Sequence, residues 1–321
     1  MKNKSLFIIL ILQIVFSFCS FGQERIRVGV LNGPSCIPCV WIVENPEFQF
    51  SKHADPQALL PKMIKGEVDV GFLPVNVAAK VYNSSNHKII CCAVTGNGNI
   101  RLITSQKNVK RLSDLKNAKV NVAGQGATPE YMFKYLLQKN NIQIDAKTGV
   151  RMDFSVPTAQ IPAMLISGKI DYAVLPEPFA TIACMKSKNL YTAVDFQNEY
   201  AYFSGKTDYP LTVMVVRSDY AYSHKKELEK FLSAYAEASK KTVINPAETG
   251  RLCEKFNMGL TEAVVTASIP KSNYVFNKAA DSVDKIESLL NIFIECDSAS
   301  IGGKLPDSDF YYHPAADEEL D

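Results

Sequence analysis

The alternation of hydrophobic and polar positions predicts a helix–turn–strand–loop unit that occurs twice in the chain. The two copies read GEVDVGFLP at 66–74 and GKIDYAVLP at 168–176. In each copy, an amphipathic helical pattern ends at a glycine, a residue that readily adopts the left-handed conformation of helix C-termini. An Asp-bearing turn follows, and then an apolar run of strand length that a proline ends. The repeat predicts two similar α/β lobes.

Other segments predict further elements around these two units. Runs that are apolar at every position, such as 120–123 and 212–216, are typical of strands buried on both faces. Residues 36–45 predict a helix after the first strand, and 95–99 predict a tight polar turn. Thr128 is of the residue type that caps helix N-termini, and it predicts a helix start at this point.

The overall composition is that of an ordinary globular protein. The chain has 321 residues, of which 47% are hydrophobic and 21% are charged. A chain of this length can bury a large core and usually divides into two domains. Its 35 Lys and Arg residues and 33 Asp and Glu residues nearly balance. A nucleic-acid-binding protein needs a basic surplus on some face, and the totals indicate none, so no nucleic-acid partner is predicted.

The start of the chain has the layout of an export signal. Lys2 and Lys4 precede a largely apolar run at 6–18, which is too short for a comfortable membrane span. The pattern predicts a signal peptide at 1–22 that is removed after export. The alternative is a lipoprotein signal, with lipidation at Cys19.

Five stretches together resemble the periplasmic substrate-binding proteins of ABC importers, in the family that serves nitrate, sulfonates, bicarbonate and thiamine-precursor pyrimidines. The resemblance extends from about Arg27 to Asn245, and it depends on the order and spacing of the stretches. They are VGVLNGPS at 28–35, GEVDVGFLPVN at 66–76, LSDLKNAKVNVAGQGATPEY at 112–131, SGKIDYAVLPEPFAT at 167–181 and TVMVVRSDY at 212–220.

The resemblance implies a type II periplasmic-binding fold of the α/β class. Two lobes with mixed, mainly parallel sheets are flanked by helices and joined by two crossing strands. Lobe 1 is expected to be discontinuous, comprising 24–103 and 212–312, and lobe 2 to comprise 104–211. Residues 313–321 are acidic and small, and they are predicted to form a disordered tail.

Candidate ligand-binding residues come from the loops that follow the predicted strands. In open α/β sheets, ligands bind beyond the carboxyl ends of the strands, so loops from two facing lobes would line one cleft. The candidates are Asn32, Gly33, Pro34, Ser35, Cys36, Trp41, Pro74, Asn76, Thr95, Gly96, Asn97, Gly126, Thr128, Glu177 and Pro178.

The favoured function is that of a binding protein without a cofactor, metal or catalytic residue. The resemblance implies that a small molecule is captured between the lobes by hinge closure and delivered to an ABC transporter permease by a periplasmic monomer. No Ser-His-Asp arrangement, H-E-x-x-H or nucleotide-binding loop is evident in the sequence.

Two alternatives involve cysteine chemistry. Cys36 and Cys39 form a C-x-x-C that could be a redox pair or a local disulfide, and a secreted thiol–disulfide oxidoreductase is the principal alternative function. Pyrimidine-synthesising enzymes of similar fold are a third hypothesis. They carry a cysteine-rich signature that Cys91 and Cys92 do not reproduce.

The ligand class is predicted from the side chains near the expected cleft. The cleft loops contain no Arg or Lys, which disfavours an anion. Trp41, Tyr131 and Tyr202 offer aromatic faces, and Glu177 offers an acceptor for an amine or amide. The sequence therefore favours a heteroaromatic vitamin precursor, of the thiamine-pyrimidine or flavin type, over nitrate or a sulfonate.

Overall fold

A computed structural model describes residues 25–144 and 148–314, which form two β-sheets flanked by helices. The predicted signal peptide, with Cys19, lies outside the described residues, as do residues 315–321 of the predicted tail. The strands are β1 (Ile26–Leu31), β2 (Phe48–His53), β3 (Val70–Pro74), β4 (Ile89–Asn97), β5 (Ile100–Thr104), β6 (Lys119–Val122), β7 (Arg151–Asp153), β8 (Tyr172–Pro176), β9 (Tyr191–Asp195), β10 (Pro210–Arg217) and β11 (Tyr274–Lys278).

The helices of the described residues cover the faces of both sheets. They are α1 (Cys36–Cys39), α2 (Pro56–Ile64), α3 (Val75–Ser84), α4 (Thr128–Lys139), α5 (Ile161–Ile166), α6 (Phe179–Lys186), α7 (Phe196–Ser204), α8 (Ser218–Ser223), α9 (Lys225–Ile244), α10 (Pro246–Lys255), α11 (Glu262–Ser268) and α12 (Val283–Cys296). Within the described ranges, no helix combines the length and the apolar character needed to cross a membrane.

The strands form a six-stranded and a five-stranded sheet. The order of the first sheet is β11-β4-β10-β3-β1-β2, and that of the second is β7-β6-β8-β5-β9. Most strands in each sheet point in one direction, and the reversed strands are β10 and β11 in the first sheet and β5 in the second. The predicted mixed sheets in two lobes are therefore present.

The repeated unit occupies the same position in both sheets. In the first sheet, α2 leads through Gly66 into β3, which pairs with parallel β1 and antiparallel β10. In the second, α5 leads through Gly168 into β8, which pairs with parallel β6 and antiparallel β5. Gly66 and Gly168 have φ values of 78° and 69°, in the region that favours glycine. The sequence repeat therefore corresponds to a structural repeat.

The chain crosses between the sheets at two neighbouring segments. The first crossing is Gly98–Asn99, between β4 and β5, and the second is 205–209, between α7 and β10. The backbone N–H of Gly98 donates to the Tyr209 carbonyl oxygen at 3.0 Å, which joins the two crossings. The predicted lobe boundary at 103 is misplaced, because β5 pairs along its whole length with β8 of the second sheet.

Two predicted local elements differ from the structure. The helix expected at 36–45 ends at Cys39, and the following residues form turns in which Trp41 and Ile42 bond three residues back instead of four. Pro46 disfavours helical backbone at the preceding residue. The turn expected at 95–99 is also absent, because β4 continues to Asn97 and pairs with both β10 and β11.

Candidate interlobe site

Turns from the two sheets meet at Asn76, the second residue of α3. Its side chain is fully buried, and Nδ2 donates to the carbonyl oxygens of Gly126 at 2.8 Å and Ser300 at 3.3 Å. Its Oδ1 accepts a hydrogen bond from Thr128 Oγ1 at 3.1 Å. Asn76 follows β3 of the first sheet, whereas Gly126 and Thr128 follow β6 of the second. These strand-end turns therefore face each other.

The glycine-rich turn after β6 presents its backbone to Asn76. Gly124 and Gly126 have φ values of 71° and 75°, and the N–H of Gly126 donates to Glu130 Oε2 at 2.7 Å. Thr128 does not cap α4, since Ala127 is the N-cap residue and Thr128 is the first helical residue. The Thr128 hydroxyl is thus available to bond across the lobes.

The loop after β1 lies between aromatic residues of both lobes. An ideal Cβ on Gly33, which has a φ of 133°, would lie 3.4 Å from the Phe179 ring of α6. The Tyr274 hydroxyl donates to the Pro34 carbonyl oxygen at 3.0 Å. The Ser35 hydroxyl accepts from Leu31 N–H at 2.9 Å and donates to Leu31 O at 3.2 Å, so it closes the turn. At its start, Asn32 is exposed and donates its N–H to the His53 carbonyl oxygen.

The predicted C-x-x-C pair consists of two buried free thiols. Cys36 Sγ donates to Gly33 O at 3.1 Å, and Cys39 Sγ donates to Ser35 O at 3.6 Å. Burial raises the pKa of both thiols. The local disulfide, one of the two possibilities for this pair, is not formed, and a raised pKa opposes the reactivity that a redox pair needs. Cys36 is 1% exposed, so its thiol packs in the core below the loop.

Several predicted site residues serve the sheet or the core. Thr95, Gly96 and Asn97 are buried in β4, where the Thr95 hydroxyl donates to Thr212 O at 3.3 Å. Trp41 does not join the interlobe turns. Its Nε1 donates to Thr249 Oγ1 of α10 at 3.1 Å, in keeping with a packing role.

Glu177 lies at the end of the second repeat, before Pro178, to which it is joined by a cis peptide bond. It is 1% exposed, and both carboxylate oxygens already have partners. Oε1 accepts from Arg101 Nη1 at 2.9 Å, and Oε2 accepts from Thr181 N–H at 3.0 Å. Burial raises the pKa of Glu177, and Arg101 opposes this shift. Pro74, the matching proline of the first repeat, ends β3 before α3.

Arg101 is a central residue that the sequence pattern does not reveal. It lies on β5, between Leu175 of β8 and Asp195 of β9 in the sheet register. Its Nη2 is 3.2 Å from Asp195 Oδ2, and its Nη1 also donates to the Lys271 carbonyl oxygen of the first lobe at 3.3 Å. The cleft loops contain no basic residue, but this strand arginine reaches their edge.

Two of the aromatic residues expected near the ligand have other positions. Tyr131 packs against Phe293 of α12 at a ring-centroid distance of 5.6 Å, and its hydroxyl donates to Asp297 Oδ2 at 3.4 Å. Tyr131 therefore links α4 of the second lobe to the first lobe. Tyr202 is 82% exposed, on the surface of α7.

Two surface cavities of the described residues lie away from the interlobe turns. One of about 330 Å³ adjoins β11, and one of about 480 Å³ lies between α2 and α3. The interlobe turns are in direct contact with each other instead. Within the described ranges, no group of three or more His, Cys, Asp or Glu side chains is placed to hold a metal ion.

Sequence comparison identifies the family of the chain. The model of the NMT1-like family matches residues 43–255, about two thirds of the sequence. The chain belongs to the NMT1-like family. No curated protein sequence matches this NMT1-like chain. The matched region includes both copies of the repeat and both crossings between the sheets.

Solved structures with the same fold include binding proteins and an enzyme. The NMT1-like chain is similar to an ABC transporter protein from Parabacteroides distasonis, with 25% identity, a TM-score of 0.76, and coverage of 90% of this chain and 99% of that chain. The Escherichia coli aliphatic sulphonate binding protein SsuA is 16% identical, with a TM-score of 0.70 and coverages of 91% and 92%. The desulfurization enzyme DSZB is 11% identical, with a TM-score of 0.63 and coverages of 91% and 97%. The architecture is that of type II periplasmic binding proteins.

Proposed function

We propose that this protein is an extracytoplasmic solute-binding protein that captures a small molecule between its lobes and delivers it to an ABC transporter permease. The main support for this role is the contact of Asn76 with Gly126 and Thr128, because it brings strand-end turns of the two sheets face to face. The Parabacteroides distasonis protein, described as an ABC transporter, and the binding protein SsuA share this arrangement of sheets.

Binding depends on motion about the two crossings. We assign 25–97 with 210–314 to one lobe and 100–204 to the other, following the sheets. The interlobe turns are in direct contact, so a solute enters when the lobes part and is enclosed when they return. The free energy that drives closure cannot exceed the difference between the binding free energies of the ligand for the closed and the open state. The role requires hydrogen bonding and burial, and it needs no chemical step.

We further propose that the protein is exported and that it acts as a monomer. The basic and then apolar layout of 1–22 supports secretion across the inner membrane to the periplasm, with lipid anchoring at Cys19 as the alternative. The mass of the exported protein distinguishes cleavage after Gly22 from a lipidated N-terminus at Cys19.

The proposed ligand is a heteroaromatic vitamin precursor of the thiamine-pyrimidine or flavin type. Phe179 and Tyr274 support this class, since they bring aromatic rings from the two lobes to the loop at Gly33 and Pro34. The positive charge of Arg101 is paired with the carboxylates of Glu177 and Asp195. This pairing disfavours the binding of nitrate and sulfonates. Trp41 and Tyr202 do not support this ligand class, because Trp41 packs against α10 and Tyr202 is exposed on α7.

The test is calorimetric titration with an aminopyrimidine thiamine precursor, riboflavin, nitrate and taurine, combined with X-ray scattering. We expect binding of a heteroaromatic compound and a decrease in radius of gyration. Asn76→Ala removes hydrogen bonds between the lobes, and we expect about tenfold weaker binding.

The control for this variant is Asn83→Ala. Asn83 Nδ2 donates to the carbonyl oxygens of Ile301 and Lys304 within the first lobe. The control therefore loses similar hydrogen bonds without changing the interlobe contact, and we expect its affinity to match that of the wild type. No binding of any compound, with an unchanged radius of gyration, would contradict the proposed role.

A further inference from the structure

The corner of the cleft nearest the crossings holds a largely buried positive charge between two carboxylates. Arg101 bonds Glu177 at 2.9 Å and Asp195 at 3.2 Å, and the three side chains are 12%, 1% and 26% exposed. Lys271 offers its carbonyl oxygen to Arg101, and its ammonium group, on an exposed residue, lowers the pKa of Glu177 less than Arg101 does. One largely buried cation, Arg101, thus lies between two carboxylates, and the Lys271 charge lies at the exposed side.

Two buried oxygen atoms beside this group accept no hydrogen bond from the described residues, and the Thr181 hydroxyl lies against the Glu177 carboxylate. They are Asn99 Oδ1 and Thr181 Oγ1, on residues that are 3% and 2% exposed. Both residues contact Glu177, whose N–H donates to Asn99 O at 3.3 Å and whose Oε2 accepts from Thr181 N–H at 3.0 Å. Buried polar atoms are normally satisfied, so two oxygens with unused acceptor capacity at an interlobe junction point to a ligand that donates hydrogen bonds.

The junction also involves the first lobe directly. Asn99 lies in the first crossing, and its Nδ2 donates to the Ser272 carbonyl oxygen at 3.1 Å. The helix that carries Thr181, α6, packs against α11 of the first lobe. Parting of the lobes therefore alters the surroundings of these residues, and a ligand can reach them when the cleft opens.

We propose that this corner, which we call the hinge corner and define as Asn99, Arg101, Glu177, Thr181 and Asp195, receives an uncharged or cationic N–H donor of the ligand and rejects oxyanions. The inference rests on the solute-binding role proposed above and adds the chemistry that selects the solute. An amino group can donate to the Asn99 and Thr181 oxygens. A nitrate or sulfonate oxygen would instead meet the Asn99 oxygen and two carboxylates, because the nearest Arg101 donors are engaged and the Thr181 hydroxyl is directed to Glu177.

The decisive experiment removes the negative charges of the hinge corner, so that the corner should bind anions instead of hydrogen-bond donors. The double variant Glu177→Gln and Asp195→Asn keeps the side-chain shapes and removes both negative charges, which frees the Arg101 charge. Wild type and variant are titrated with an aminopyrimidine, nitrate and taurine. We expect the variant to bind nitrate or taurine at least about tenfold more tightly than wild type, and the aminopyrimidine about tenfold less tightly.

The matched control is Asp153→Asn, which removes an acid of the same lobe at β7. Asp153 pairs with Lys119 at 2.9 Å, away from the hinge corner, and its substitution should leave the three titrations unchanged. Wild-type binding of nitrate or taurine as tight as that of the double variant would overturn the inference and leave the solute-binding role intact. Failure of wild type and variant to bind any of the three probes would contradict both.

A single substitution keeps the inference testable if the double variant does not fold. Thr181→Val replaces the hydroxyl by a methyl group of similar shape and keeps all charges of the hinge corner. We expect its affinity for the aminopyrimidine to fall about fivefold, with no gain for nitrate. Unchanged aminopyrimidine affinity in this variant would overturn the role of Thr181 in the hinge corner.

Discussion

Gly98 is the residue at which the first crossing passes closest to its neighbours. An added Cβ would lie 2.1 Å from Gln197 Oε1 and 2.4 Å from the Tyr209 ring. We expect Gly98→Ala to lower the free energy of unfolding by about 1–3 kcal/mol, because the tyrosine ring cannot move without disturbing the second crossing. Urea denaturation measures the change.

Gly96→Ala is the matched control for this prediction. Its added Cβ would meet only Thr212 Cβ, at the ordinary distance of 3.9 Å. A loss of stability in the Gly96 variant equal to that of the Gly98 variant would show that crowding at the crossing is not the cause.

The reactivity of individual cysteine thiols distinguishes the binding-protein hypothesis from the oxidoreductase hypothesis. Burial raises the pKa of Cys36 and Cys39, so the thiolate is scarce in both at neutral pH. Among the cysteines in the described residues, we expect native alkylation to label Cys184 and Cys296, which are partly exposed. Mass spectrometry after alkylation locates the labels. Rapid labelling of Cys36 or Cys39 in the folded protein would revive the redox hypothesis.

Sequence position alone indicates some site residues and misses others. Asn76, Gly126 and Thr128 follow predicted strands, and the structure brings them together. Arg101 is missed because its position beside Glu177 and Asp195 depends on the register of β5 between β8 and β9. No local sequence pattern predicts this register. Tyr274 is missed because it meets Pro34 across a sequence separation of 240 residues.

At the scale of elements, buried strands and the repeated unit are the best predicted parts. The apolar runs of β3, β6, β8 and β10 identify them, since a strand buried on both faces has a continuous apolar sequence. The ends of elements are less well predicted. Polar residues at the end of β4 resemble a turn, yet Thr95 and Asn97 find partners in neighbouring segments and continue the strand.

The edge strand β7 depends on a carboxylate. Asp153 Oδ2 pairs with Lys119 Nζ of β6 at 2.9 Å, and Oδ1 accepts from Ser155 N–H at 3.0 Å. The hydrogen bond from Lys119, and then that from Ser155, hold the pKa of Asp153 well below its usual value. This contribution to stability is complete above the unfolded-state pKa of about 4 and is lost as the pH falls through the lower folded-state pKa.

We therefore expect Asp153→Asn to be less stable than wild type at pH 7 and to approach wild type as the pH falls below about 4. Urea denaturation across this pH range measures both proteins. Glu67→Gln, which changes an exposed residue, serves as the control and should show no such convergence. A constant difference between Asp153→Asn and wild type at every pH would contradict the assignment.

At the scale of the whole molecule, the two-lobe organisation follows from the repeat, whereas the division of the chain between lobes does not. The boundary predicted at 103 divides β5, because Arg101–Thr104 looks like the return partner of the preceding strand. In the structure, β5 pairs with β8 and β9 of the second sheet. Exchange of a strand between sheets is a long-range pairing that local sequence does not reveal.

The central position of β10 in the first sheet has a consequence for synthesis on the ribosome. Every strand of the second sheet emerges before β10, which lies between β3 and β4. At a translation rate of roughly 5–20 residues per second, the nascent chain spends about 6–24 s with these two strands made and their common partner incomplete. Unpaired strand edges invite pairing with other chains. Protection of β3 and β4 is therefore needed at least until β10 has been made.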